Sequence, residues 1–180
     1  MRRLALALIV LALPAHADSC PPVPDRSDAL DAIFEDLQAA ETPAEGQRLS
    51  NALWEIWTDA PDARAQELLD HGMARREVYD YAGAVEAFDA LVAYCPHWAE
   101  GYNQRAFIAF LRQDYGTALD DLERALERNP EHVGALSGLA LTLLHLGRID
   151  AGQSVLRDAL ELNPWLPERG YLIEEPGEEL

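Results

Sequence analysis

Lysine is missing from this 180-residue chain, and all 14 basic residues are arginine, set against 32 acidic ones. The absence of lysine reflects the base composition of the source genome rather than a chemical role. The shortage of positive charge excludes nucleic acid as a natural partner, because phosphate binding needs clustered Lys and Arg to displace counterions. Long apolar runs are also scarce. Leu4 to Leu13 is the one uninterrupted stretch, and a permanent transmembrane helix needs about 20 such residues. Cysteine occurs twice, at Cys20 and Cys95, which is too few for a disulfide-dense scaffold. No segment alternates with period two over a useful length, so no sheet is predicted.

Catalytic patterns are lacking too. His71, His97, His132 and His145 form no H-E-x-x-H motif and no His/Cys pair at ligand spacing. His97 and His132 stand one period apart and read as solvated loop histidines. Ser137, in Gly134-Ala135-Leu136-Ser137-Gly138, misses the nucleophile elbow, which places the serine centrally between glycines. Gly134, Gly138, Gly147 and Gly152 serve turns or close helix contacts and make no phosphate cradle. The acidic pairs Asp120-Asp121 and Glu178-Glu179 read as solvated faces, and no calcium loop is present. The expectation is a chain that is not an enzyme, has no catalytic residues, and binds neither metal nor cofactor.

What the chain does have begins with an address. Arg2 and Arg3, the apolar stretch after them, and Ala15-His16-Ala17 match a secretory signal peptide over residues 1–17, with cleavage after Ala17. Its removal takes two arginines and no acid, moving the net charge from −18 to −20. A soluble periplasmic protein is expected, with no membrane span. The acidic surface keeps it soluble or attracts a basic partner. In an oxidising compartment Cys20 and Cys95 are compatible with a disulfide. The alternatives are two free thiols, or a lipid on Cys20 that would anchor an envelope-assembly subunit.

The strongest positive signal is a repeat of 34 residues. Ala84-x3-Phe88…Pro96 recurs as Ala118-x3-Leu122…Pro130 and as Gly152-x3-Leu156…Pro164. Tyr81, Tyr115 and Ile149 precede the small residues by three positions, and Leu91, Ala125 and Ala159 follow the Phe/Leu by three. Upstream, Leu68…Gly72, Tyr102…Ala106 and Leu136…Ala140 mark the first helix of each unit, with Arg75 and Arg105 at positions usually held by Tyr and Leu. Over residues 65–166 the chain resembles the tetratricopeptide repeat family, whose unit is a helix-turn-helix that buries its apolar face by stacking on its neighbours.

That resemblance implies an all-α, right-handed solenoid with repeats over residues 65–98, 99–132 and 133–166. Residues 18–27 form a Pro-rich arm. A degenerate hairpin over 28–60 is expected to cap the first repeat through Trp54 and Trp57, with Gln38 and Ser50 standing where small apolar residues belong. A short C-terminal helix and acidic tail follow over 167–180, with Trp165, Leu166, Tyr171, Leu172 and Ile173 covering the last apolar face.

The resemblance also implies a concave groove lined by the first helix of each repeat. The positions that face it in the family are here Gln66, Leu69, Met73 and Arg76, then Asn103, Phe107 and Phe110, then Ser137, Leu141 and His145. Phe107, Phe110 and Leu141 are candidate apolar anchors, Asn103 a hydrogen-bonding group and Arg76 a partner for an acid. Leu69 and Met73 stand where chaperone-binding members carry a carboxylate clamp. Such a lining suits a peptide or protein segment. The same side chains could instead pack between helices or under the chain's own N-terminal arm.

Overall fold

A computed structural model describes residues 19–173, and the expected signal segment and most of the acidic tail lie outside that range. Eight α-helices and one short 3-10 turn account for the regular structure of the described residues, with no strand among them. The helices are α1 (Ser27–Ala39), α2 (Pro43–Thr58), α3 (Ala63–Glu77), α4 (Tyr81–Tyr94), α5 (Ala99–Leu111), α6 (Tyr115–Arg128), α7 (Val133–His145) and α8 (Ile149–Leu162), followed by the 3-10 turn Pro167–Tyr171.

Local chemistry sets the helix starts. Thr42 and Glu45 form a reciprocal capping box ahead of Pro43 at the opening of α2. Asp62, Asp80 and Asp114 each accept a backbone N–H in the first turn of α3, α4 and α6. The turn inside each hairpin repeats one left-handed residue, Tyr79 (φ 62°), Gln113 (φ 62°) and Gly147 (φ 73°). At each, the following N–H reaches back to a carbonyl of the preceding helix: Asp80 to Arg75, Asp114 to Ala109 and Arg148 to Leu143. Only Gly147 adopts this conformation without a Cβ penalty.

Small residues let the helices of a pair approach closely, on α3 in the first pair (Gly72 against Phe88) and on α8 in the third (Gly152 against Leu144). A Cβ on Gly72 would lie 2.3 Å from the Phe88 ring, so glycine is required where these helices cross. Phe88, Leu69, Leu91, Trp98 and Ile108 form the first core, and Ala106, Ala118, Leu122, Ala125, Leu139 and Leu143 belong to the second. Helix α3 meets α5 and α5 meets α7, so the first helices make a continuous inner layer. Arg105, at a position usually apolar, joins two outer helices: it donates twice to buried Asp121 at 2.7 Å and once to Asp89 at 2.7 Å. Those bonds, Asp121 first, hold its guanidinium still further above the usual arginine range.

The N-terminal hairpin corrects an expectation. It does not stack on the first repeat. Instead α1 and α2 lie along the row of inter-repeat loops, and Phe34, Leu37, Leu53 and Trp57 share a core with Val133 of the third repeat. Trp57 stacks on His132, ring centroids 4.3 Å apart and planes inclined by 19°. The polar residues that spoil the repeat frame make the attachment: Gln38 donates to the Glu161 carbonyl at 2.7 Å, and Asn163 donates to Ser50 at 2.9 Å. Trp165 donates from its ring nitrogen to the Leu37 carbonyl at 3.1 Å. It also lies flat on α2 because Gly46 has no Cβ, which would sit 2.1 Å from the indole.

The arm is pinned as well. Cys20 and Cys95 form a disulfide with Cα atoms 5.1 Å apart, and Arg26 pairs with Asp59 across the two ends of the hairpin. With its sulfur bonded to Cys95, Cys20 has no thiol for a thioether-linked lipid. No helix among the described residues is long and apolar enough to cross a membrane. At the C-terminal end, Trp165 and Leu166 pack on the hairpin core, while Tyr171 and Ile173 are each 58% exposed.

Candidate functional site

The inner faces of α3, α5 and α7 form the floor of a trough. On one side it is overhung by Trp54 of α2 and by Glu168 of the 3-10 turn. The space enclosed is a cavity of about 350 Å³. Its apolar lining comes from Phe107, Phe110 and Leu141, with Gly134 and Gly138 keeping the α7 side shallow. Phe107 is 44% exposed, a large aromatic surface left facing the cavity. Phe110 is steadied by edge contacts to Tyr115 and His145.

A chain of buried polar groups runs beneath one end of the cavity. Arg76 donates to Gln104 at 2.6 Å, and Gln104 donates to Glu100 at 2.6 Å. Glu100 also accepts from Asn103 at 2.9 Å and meets His132 Nε2 at 3.0 Å. The other ring nitrogen of His132 accepts the Ala135 N–H, capping α7. Nδ1 being an acceptor, Nε2 carries the proton and donates it to Glu100. Glu100, Gln104 and His132 are each 1% exposed, so the bonds among them are made away from water, where an unpaired group would be costly, while the Arg76 end is half-buried. The network fixes the Arg76 guanidinium 5.2 Å from the centre of the Phe107 ring, at the mouth of the cavity.

Six of the ten sequence-derived groove residues meet here: Arg76, Asn103, Phe107, Phe110, Ser137 and Leu141. The other four do not line the cavity. Leu69 is wholly buried in the first core and Met73 packs against it. Gln66 instead caps the α2–α3 link, accepting the Ala60 N–H at 3.0 Å. His145 lies beyond the end of the cavity, its Nδ1 2.8 Å from the Leu141 carbonyl. The register is right, but the first repeat turns its early positions inward to meet α4. His132 is a second correction: it is a buried helix cap, whereas His97 is exposed. Among the described residues no three His, Cys, Asp or Glu side chains gather as a metal-binding group.

Trp54, Gln104, Thr142 and Glu168 also line the cavity and escaped the sequence reading. Gln104 and Thr142 fall in the repeat frame next to positions already chosen, so the repeat alone could have suggested them. Trp54 and Glu168 come from outside the repeats, and no periodic signal places them.

Residues 109–165 match the family model described as tetratricopeptide repeat. A TPR repeat-containing protein of Rhizobium etli is 29% identical over 136 residues, covering 76% of this chain and 62% of that protein. The Tetratricopeptide repeat protein 36 homolog of Nematostella vectensis is 38% identical over 72 residues, or 40% of each chain. The chain thus spans less than two thirds of either relative. Among solved structures, the TPR2B-domain:pHsp70 complex of yeast Sti1 superposes with a TM-score of 0.57 at 23% identity, covering 61% of this chain and 90% of that one. That likeness concerns the fold.

Proposed function

Given that this chain is a tetratricopeptide repeat protein, we propose that it is a non-catalytic interaction module which holds a short peptide or protein segment in its trough, in the periplasm of a bacterium. The observation that carries the reading is Phe107, a 44% exposed aromatic on a rigid inner layer, beside Phe110 and Leu141 in a cavity of about 350 Å³. The floor is preorganised, so little ordering entropy is lost on binding. The first TPR of Spaghetti (RPAP3), a structural neighbour bound to an HSP90 peptide, supports a peptide as the kind of occupant. Arg76 at the mouth suits an acidic group of the segment.

Two features favour export: the signal-like residues 1–17, and a disulfide that an oxidising compartment would maintain. The two relatives are longer than the part they share with this chain, and their partners are not carried over.

The test is a screen of immobilised short peptides against the oxidised protein, repeated with Phe107→Ser. Binders that survive in the variant at equal strength would refute the trough as the site. The intact mass of protein recovered from the cell envelope, expected to begin at Asp18 with the disulfide closed, tests the location.

A further inference from the structure

Glu168 is the one carboxylate lining the cavity, and it is poorly satisfied. Its Oε2 is buried without a hydrogen-bond partner among the described residues. A desolvated carboxylate oxygen is costly unless a donor reaches it. The turn that carries it is held from several sides. Pro167 sits at its start, Trp165 is fastened to α1 through the Leu37 carbonyl, and Gln153 both donates to the Tyr171 carbonyl at 2.9 Å and accepts the Ile173 N–H at 2.6 Å. The backbone of Glu168 is thereby held, so the buried oxygen meets a donor in the cavity by rotation of the side chain alone.

The one basic side chain in the lining, Arg76, is engaged elsewhere, hydrogen-bonded to Gln104 and lying against Phe107. No ion pair joins Arg76 to Glu168 among the described residues. The lining of the cavity thus carries one side chain of each sign, not paired with each other. Trp54, 36% exposed, offers its indole to an aliphatic stem or a cation.

We propose that Glu168 is the specificity residue of the trough, accepting a lysine or arginine side chain of the bound segment, with Trp54 along its stem. The proposal rests on the trough being the binding site and adds to it a charge and a direction: the basic side chain lies at Glu168, and an acidic group lies toward Arg76. An overall charge of −18 draws basic segments toward the protein before they dock.

The experiment uses the whole oxidised chain and sets of short synthetic peptides that differ only at a central residue: arginine, lysine, norleucine or glutamate in apolar flanks. Fluorescence anisotropy reads the affinities. The expected result is a preference of about tenfold for arginine or lysine over norleucine, the worth of one charged hydrogen bond. Glu168→Gln should bring the arginine-to-norleucine affinity ratio, both measured on that variant, close to one, and Glu168→Lys should favour glutamate. If peptides bind and Phe107→Ser releases them, yet the basic preference is absent or survives Glu168→Gln, the role of Glu168 is refuted and the trough stands. If Phe107→Ser changes nothing, or no peptide binds, both readings fail together.

Discussion

Removing Trp57 tests where the N-terminal hairpin docks. Its indole is 8% exposed, packs in one core with Phe34, Leu37, Leu53 and Val133, and stacks on His132. Its ring N–H has no hydrogen-bond partner among the described residues, so Trp57→Ala removes packing alone. Truncation of a buried Trp costs roughly 3–5 kcal/mol once the cavity left behind is counted. That figure does not discriminate between docking sites, but coupling does. Trp57 and Val133 share a core, so the double variant with Val133→Ala should depart from additivity by about 0.5–3 kcal/mol. Leu69 lies in the separate first core, against which the hairpin would pack if it capped the first repeat. With Leu69→Val the combination should be additive to within about 0.5 kcal/mol. Urea unfolding of the wild type, three single variants and two doubles supplies every term. Coupling to Leu69 with none to Val133 would refute the arrangement along the inter-repeat loops.

Three further outcomes follow from single contacts. Reduction of Cys20–Cys95, or Cys20→Ser with Cys95→Ser, opens a closure of 75 residues, and by the chain-entropy relation stability should fall by roughly 4 kcal/mol in chemical denaturation; an unchanged midpoint would refute a closed bridge in the folded protein. Gln113, exposed at φ 62°, should be replaced by glycine with a gain of up to about 1 kcal/mol in melting experiments, because strain at the left-handed residue outweighs the entropy glycine adds to the unfolded chain. Asp62 accepts the Ala65 N–H at the start of α3 and the Tyr94 hydroxyl, bonds that hold its carboxyl below the usual range. A lowered folded pKa adds stability that is present above the unfolded value, about 3.9, and is lost as pH falls through the folded one; the advantage of wild type over Asp62→Asn should therefore be constant near neutrality and vanish in acid.

The solenoid was legible because its code is local and periodic. A residue such as Ala118 or Leu122 has the same neighbour in every repeat, so 34-residue spacing places it without knowledge of the rest. Leu69 shows the limit of that inference: the frame numbers a position correctly, but whether it faces the trough or the neighbouring helix depends on a modest rotation of α3 that spacing does not encode. His132 was misjudged for a related reason. Its place in an inter-repeat loop suggested solvent, and only the hairpin laid over that loop buries it. Gln38 and Ser50 carried the missing information in plain view. They are poor residues for a stacking face and good ones for reaching exposed carbonyls and Asn163 at the other end of the chain. Read as degeneracy, they were in fact contacts.

The docked hairpin also alters what kind of segment can bind. An open solenoid offers an inner layer along its full length, able to accept a long extended chain or a helix. Here Trp54 and Glu168 close one flank over α5 and α7, and the buried Arg76–Gln104–Glu100–His132 chain stiffens the floor between them. A cavity of about 350 Å³ lies at the small end of the range for ligand pockets, room for a few side chains of a bound segment. Affinity from so small a contact is necessarily modest. On the proposed reading, discrimination comes from Arg76 and Glu168, whose contribution weakens with salt, whereas the contribution of Phe107 does not.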